Sequence, residues 1–146
     1  MVIYALNQRA KFDYQILETF EAGLVLAGYE VKSIKSGKVS IRGTYVKIIA
    51  DEVWLIGAVI PPYQAGNTPP DYDTQHSRKL LLKSRELKYL IGKSKERGLS
   101  IIPLRLYDRH GLIKLEIGLG RGKKKIDKRE MIKKREIEKT LRRKIN

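Results

Sequence analysis

Residues 121–146 carry thirteen Lys/Arg against four Asp/Glu, a net charge of +9, while residues 1–120 carry eighteen against twelve, a net of +6. A segment that charged cannot bury itself, so the chain divides into a body able to hold a core, 1–120, and a basic tail, 121–146. The body is well supplied, since 42% of all residues are hydrophobic. A total charge of +15 repels itself unless a polyanion is near, which points to nucleic acid or an acidic surface as partner. No run of 18 apolar residues occurs, and residues 1–11 lack the basic-then-apolar order of a secretory signal, so no membrane partner is expected. Cysteine is absent and histidine occurs twice, which argues against disulfides, thiolate metal sites and zinc. The expected setting is cytoplasmic, with no cofactor.

Strand-like patterning dominates the body. Tyr14–Leu26, Thr44–Ile49, Val53–Ile60, Arg78–Leu82, Leu99–Tyr107 and Leu112–Leu119 are short, β-branched, aromatic or alternating runs. Ala50-Asp51-Glu52 and Asp108-Arg109-His110-Gly111 suit hairpin turns. Two helices are predicted, over Gly28–Ser36 with Gly37 behind it, and over Arg85–Arg97 with Ser84 as N-cap and Gly98 as stop. Pro61 to His76 forms a long Pro/Gly/polar loop of the kind that often carries function. This inventory predicts a mainly β body, a closed antiparallel OB-like β-barrel with flanking short helices, closure being a way for a small β domain to remove its edges.

After Gly118 the alternation Gly118, Gly120, Gly122 reads as a flexible hinge before Lys123-Lys124-Lys125. Beyond it, Ile137, Leu141 and Ile145 stand four apart among cations, a thin apolar stripe that cannot hold a helix alone. Such a tail is expected to be disordered when free and to fold on its partner. Each Lys or Arg can neutralise a phosphate without reading sequence, and arginine can also stack on bases.

Other residues invite chemistry. Asp73, His76, Asp108 and His110 are acid–base residue types, but all lie in polar loops without metal-ligand spacing, and no phosphate-binding loop or nucleophile elbow occurs. A non-catalytic protein is expected. Glu21 and Gly23 fall inside a strand, where they read either as a bulge with a solvent-facing acid or as an acceptor for a base amine or ribose hydroxyl. The eight tyrosines supply either core or stacking rings.

Five ordered blocks carry more. Asn7-Gln8-Arg9-Ala10, Phe20-Glu21-Ala22-Gly23-Leu24, Gly28-Tyr29-Glu30-Val31-Lys32-Ser33, Arg78-Lys79-Leu80-Leu81-Leu82, and Gly122-Lys123-Lys124 followed by Asp127-Lys128-Arg129-Glu130 together resemble the SsrA-binding protein family, SmpB. The resemblance spans residues 5 to 140. It implies an OB-like barrel bound to the tRNA-like domain of transfer-messenger RNA (tmRNA), delivered to stalled ribosomes in trans-translation. It implies a tail that becomes helical in the empty mRNA channel near the 16S rRNA decoding centre, and a free protein that is a monomer. Carried over residue by residue, it places tmRNA binding on Asn7, Arg9, Glu21, Leu81 and Lys114. The decoding-centre segment falls on Gly122, Lys123, Lys124, Asp127, Lys128 and Arg129.

This chain departs from the family's pattern at three places. Ile126 stands where His or Tyr is common, Ile137 replaces a bulky tail aromatic, and the loop before Arg78 reads Asp73-Thr74-Gln75-His76-Ser77 rather than Arg/Pro-rich. Charge-driven docking of the tail survives these changes; ring stacking from it does not. The competing readings are another OB-fold protein of the translation apparatus and a nuclease or other hydrolase using Asp73, His76, Asp108 or His110.

Overall fold

The computed structural model describes residues 1–123 together with Arg129, Ile132, Lys133, Arg135, Glu136, Ile137 and Lys139. In chain order the elements are β1 (Ile3–Leu6), α1 (Ala10–Asp13), β2 (Tyr14–Leu24), α2 (Gly28–Lys35), β3 (Tyr45–Ile49), β4 (Glu52–Ile56), a 3-10 turn (Ala65–Asn67), β5 (Arg78–Leu81), α3 (Ser84–Ser94), β6 (Leu99–Arg109) and β7 (Leu112–Gly122). The strands form one antiparallel sheet in the order β1-β6-β7-β2-β5-β4-β3. Its spine is the long strands β6, β7 and β2, of eleven residues each.

The hairpins form where the turn residues accept left-handed backbone. His110 and Gly111 take φ of 53° and 82° between β6 and β7, and Ala50 and Asp51 take 51° and 61° between β3 and β4. Two consecutive positive φ values give the twist that tight hairpins need. Ala50 adopts this conformation without the help glycine or asparagine would give, a local strain of order 1 kcal/mol.

Alternation along the strands sends one set of side chains inward. Val53 and Leu55 of β4 join Ala22, Leu80, Leu106, Leu115, Ile117 and Leu119, and Ile34 of α2 and Leu90 of α3 close over them. A smaller cluster of Ala10, Ile102 and Leu104 lies beneath α1. Helix α3 starts at Ser84 itself, behind Lys83, whose side chain makes no capping bond, and ends at Ser94 rather than Arg97. The helix α1 and strand β1 have no counterpart in the sequence expectation.

Two expectations are corrected. The sheet is mainly β and antiparallel as expected, but its ladder is not closed: it begins at β1 and ends at β3, and among the described residues no ladder joins them. The reason is local. Strand β1 takes the free edge of β6 at Arg105–Tyr107, and beyond it a cavity of about 1090 Å³, lined by Asn7, Arg9, Arg42, Lys47 and Ser100 among others, lies between β3 and β6.

The glycine hinge is also absent at Gly118 and Gly120, which lie inside β7. A Cβ on Gly118 would stand 3.0 Å from Ile16 Cγ2, and one on Gly120 2.9 Å from Ile102 Cδ1 and 3.1 Å from the Gln15 carbonyl. These glycines let β2 and β6 close on β7. The body's hydrogen bonds run on to Lys123, whose N–H donates to the Asp13 carbonyl at 2.9 Å.

Candidate nucleic-acid interface

Cross-strand register gathers several predicted residues on one outer face. Glu21 pairs with Glu116, Gly23 with both Lys114 and Leu81, Tyr107 with Lys114, and Arg105 with Glu116. Directly opposed residues of neighbouring strands share a face, so β5, β2, β7 and β6 together present Leu81, Glu21, Lys114 and Arg105. Leu81 is 51% exposed, which excludes a core role for it. A Cβ built on Gly23 would lie 3.5 Å from Leu81 Cβ and 3.7 Å from Lys114 Nζ. Gly23 is thus the floor of a notch walled by an apolar side chain and an ammonium group.

Glu21 is fixed in place. Its Oε2 accepts from the Tyr107 hydroxyl at 2.6 Å and from Arg109 Nε at 2.7 Å. The Tyr107 hydrogen bond, aided by the charges of Arg109 and Lys114, lowers the Glu21 pKa against the opposing effect of burial. Burial, and then the Glu21 carboxylate, push the Tyr107 hydroxyl up to about 12. The carboxylate is therefore ionised and the phenol protonated throughout the neutral range. No bulge occurs at Glu21; the nearest irregularity of β2 against β7 lies between Ile16 and Glu18. Arg105 pairs with Glu116 at 3.2 Å and stands 4.8 Å from the centroid of the Tyr107 ring.

Asn7 and Arg9 stand elsewhere, at the junction of β1 and α1. The Asn7 side chain donates to the Pro103 carbonyl at 2.7 Å, and its backbone N–H to that of Leu104 at 2.8 Å, so part of its polar capacity holds β1 to β6. The Arg9 side chain is 71% exposed, with its guanidinium 4.9 Å from the Phe12 ring. Of the tail set, Gly122 and Lys123 end the body, and Lys123 Nζ donates to the Lys11 carbonyl at 2.8 Å. Arg129 has helical backbone. Lys124, Asp127 and Lys128 lie outside the described residues, as does Ile126. Exposed Ile137 is described, also with helical backbone. The guanidinium of Arg135 lies 6.0 Å from the same Phe12 ring that Arg9 covers.

The acid–base candidates separate into two structural roles. Asp73 Oδ1 accepts the Gln75 N–H at 2.9 Å, and Asp108 Oδ2 accepts the Gly111 N–H at 3.3 Å, each bracing its own turn. His110 is a turn residue, and His76 turns its Nε2 to Glu30 at 3.0 Å. Among the described residues no three His, Asp or Glu groups converge as metal ligands, and no helix is long and apolar enough to cross a membrane.

The family described as SmpB protein matches residues 4–146 of the chain. The chain belongs to the SmpB family. It is 47% identical over 144 residues to the SsrA-binding protein of Coprothermobacter proteolyticus, covering 98% of this chain and 96% of that protein. It is 45% identical over 139 residues to that of Trichodesmium erythraeum, covering 95% and 89%. Among solved structures it is similar, with TM-score 0.65 and 42% identity over 82% of this chain and 84% of the other, to a chain of "tmRNA-SmpB: a journey to the center of the bacterial ribosome".

For an SmpB-family chain, one feature the sequence reading missed is a buried polar knot joining two of the five blocks. Arg78 and Glu30, whose side chains are 0% and 3% exposed, meet with Arg78 Nη2 at 2.8 Å and Nε at 3.1 Å from Glu30 Oε2. Arg78 also donates to the carbonyls of Ala58 at 2.6 Å and Thr74 at 3.0 Å and to the Tyr72 hydroxyl at 3.0 Å. Tyr72 donates in turn to the Ile60 carbonyl at 2.7 Å. Burial alone would raise the Glu30 pKa, but the Ala27 N–H and Arg78 outweigh it and leave the carboxyl lowered. The knot fastens both ends of the Pro61–His76 loop to α2, with Ser33 Oγ donating to the Pro61 carbonyl at 2.6 Å. In sequence Glu30 and Arg78 stand beside exposed or half-exposed lysines, Lys32 and Lys79, and nothing local marks which charge is buried.

Proposed function

We propose that this chain binds the tRNA-like domain of tmRNA and brings it to stalled ribosomes for trans-translation, positioning RNA without chemistry of its own. The observation that carries this reading is the SmpB family match across residues 4–146. The neighbouring tmRNA-SmpB structure supports it, and such a partner favours a cytoplasmic setting. The face bearing Glu21, Leu81 and Lys114 is the tmRNA-binding surface, with Asn7 and Arg9 as a second contact. Lys114 and Arg9 neutralise phosphates, Glu21 accepts a donor from base or ribose, and Leu81 packs against the nucleotide.

The sheet acts as an OB-like, partly open barrel, its seam lying between β3 and β6. The tmRNA-binding domain is the expected body of 1–120 extended by the end of β7 to Lys123, and the rest of 121–146 is the ribosome-binding tail. That tail docks as a helix in the mRNA channel. There Gly122, Lys123, Lys124, Asp127, Lys128 and Arg129 approach the 16S rRNA decoding centre, and contact rests on charge because Ile126 and Ile137 bring no rings. The free protein is a monomer.

Gel-shift competition tests the reading. The tRNA-like domain of tmRNA should displace a labelled copy of itself at far lower concentration than an unrelated tRNA does. Equal displacement by the two would favour a general RNA-binding protein of the translation apparatus and end the specific reading.

A further inference from the structure

We propose that Tyr107 and Arg109 are positioning residues that turn Glu21 into a one-oxygen acceptor for a ribose 2′-hydroxyl, so that this face recognises RNA by its sugar. The inference rests on the tmRNA-binding reading and adds to it the group recognised and the residues that set it.

The geometry supplies the steps. A carboxylate oxygen has two lone pairs, and both on Glu21 Oε2 are taken by the Tyr107 hydroxyl at 2.6 Å and Arg109 Nε at 2.7 Å. Oε1 has no partner among the described residues, and Glu21 is 34% exposed. Reading the Watson–Crick edge of guanine would take two parallel N–H groups on two free oxygens; Glu21 offers one. One free oxygen is what remains, suited to an exocyclic amine or a hydroxyl.

The surroundings choose between those two. Base-edge reading of unstacked RNA goes with an aromatic platform, and none is exposed beside Glu21 on β2, β7 or β6; the exposed Tyr45 and half-buried Trp54 of this face lie out on β3 and β4. Tyr107 is only 2% exposed, with Arg105 and Arg109 at 4.8 and 5.9 Å from its ring centroid. Lys114 Nζ instead stands at the Gly23 notch next to Glu21, where it suits a phosphate. A ribose joined to that phosphate brings its 2′-hydroxyl within the reach of the neighbouring acceptor. Ribose hydroxyls and phosphates are also what the shallow groove of an RNA helix displays. The buried, protonated Tyr107 and the guanidinium of Arg109 keep Glu21 charged, which makes the O–H···O⁻ bond a strong one.

The test is a scan of single 2′-deoxy substitutions through the tRNA-like domain, with affinities measured for the full chain and for Glu21→Gln, Tyr107→Phe and Arg109→Gln. In the unaltered protein one position should lose about 10-fold on deoxy substitution, the scale of a hydrogen bond to a charged group. That loss should shrink to within about 2-fold in Glu21→Gln, the signature of coupling in a double-mutant cycle. Tyr107→Phe should keep a smaller loss and shift the acid limb of the binding-versus-pH curve upward, along with the Glu21 carboxyl titration followed by carbon NMR. A purely structural Tyr107 would leave both titrations in place. A deoxy penalty equal in the unaltered protein and Glu21→Gln at every position overturns the proposal while leaving tmRNA binding intact. Failure of the unaltered protein to prefer the tRNA-like domain overturns both.

Discussion

Replacing Arg78 by Met is the most direct way to weigh the buried knot. The substitution keeps a side chain of similar length while removing five hydrogen bonds: two to Glu30 Oε2, and one each to Ala58, Tyr72 and Thr74. Removing one partner of a buried ion pair costs about 3–5 kcal/mol, because the other charge is left without compensation. Glu30 retains the Ala27 N–H at 3.0 Å and His76 Nε2 at 3.0 Å, which favours the lower end, about 3 kcal/mol. For a domain of this size that corresponds to a fall in Tm of roughly 10 °C, read by circular dichroism, with urea unfolding as the equilibrium check. Limited proteolysis should cut the 61–77 loop faster, since its fastening to α2 is lost. The double variant Arg78→Met with Glu30→Met should regain much of the loss, because apolar replacement of both partners of a buried pair is often close to neutral. A single variant within about 1 kcal/mol of the unaltered protein would refute the reasoning. So would a double variant no better than the single.

Gly120→Ala should cost about 1–3 kcal/mol by overpacking, whereas Gly122→Ala, with nothing within 4 Å of its Cβ, should change little; calorimetry on both separates close packing from hinge flexibility. Lys114→Ala should weaken tmRNA binding and lower the slope of log affinity against log salt by about 1, a result that binding isotherms at several salt concentrations would show. Glu21 and Glu30 have lowered folded-state pKa values, so both contribute stability above the ordinary carboxylate range and lose it as pH falls through their folded values; acid titration of the unfolding midpoint should show this fall, reduced in Glu21→Gln. Deleting residues 124–146 should leave a folded, tmRNA-binding body unable to support tagging in a translation assay. The cut belongs there rather than at 121, because Arg121 and Gly122 still pair with Gln15 and Tyr14.

Local signals in the sequence located most elements. The β3–β4 and β6–β7 hairpins, α2 and α3 announce themselves by alternation, helical spacing and turn residues. Strand β1 and helix α1 did not, because each is four residues long and takes its stability from β6 and β2. The glycines of β7 misled for a physical reason: small residues at alternate positions suit a flexible link and a strand crossed at close range equally well. Glu30 and Arg78 are 48 residues apart, and no local pattern couples them. On the outer face, Glu21, Leu81 and Lys114 were named through family resemblance, and the sheet register then brought them together. Tyr107 and Arg109 were not singled out as partners of Glu21, since an internal tyrosine and a turn arginine carry no mark of the carboxylate they hold.

The sheet order also bears on how the chain comes off the ribosome that makes it. Among the described residues strand β7 is the last to be synthesised, yet it stands between β6, which carries β1, and β2, which leads through β5 and β4 to β3. Until it emerges, the two halves have no ladder between them, and β1 has waited through more than ninety residues of synthesis for its own partner. The β2-β5-β4-β3 half can pair once β5 has emerged, but the two halves join only late, around β7 as keystone, and with many non-local pairings the whole sheet should form slowly. While β7 is being completed, the growing end of the polypeptide is still held in the machine the finished protein would serve.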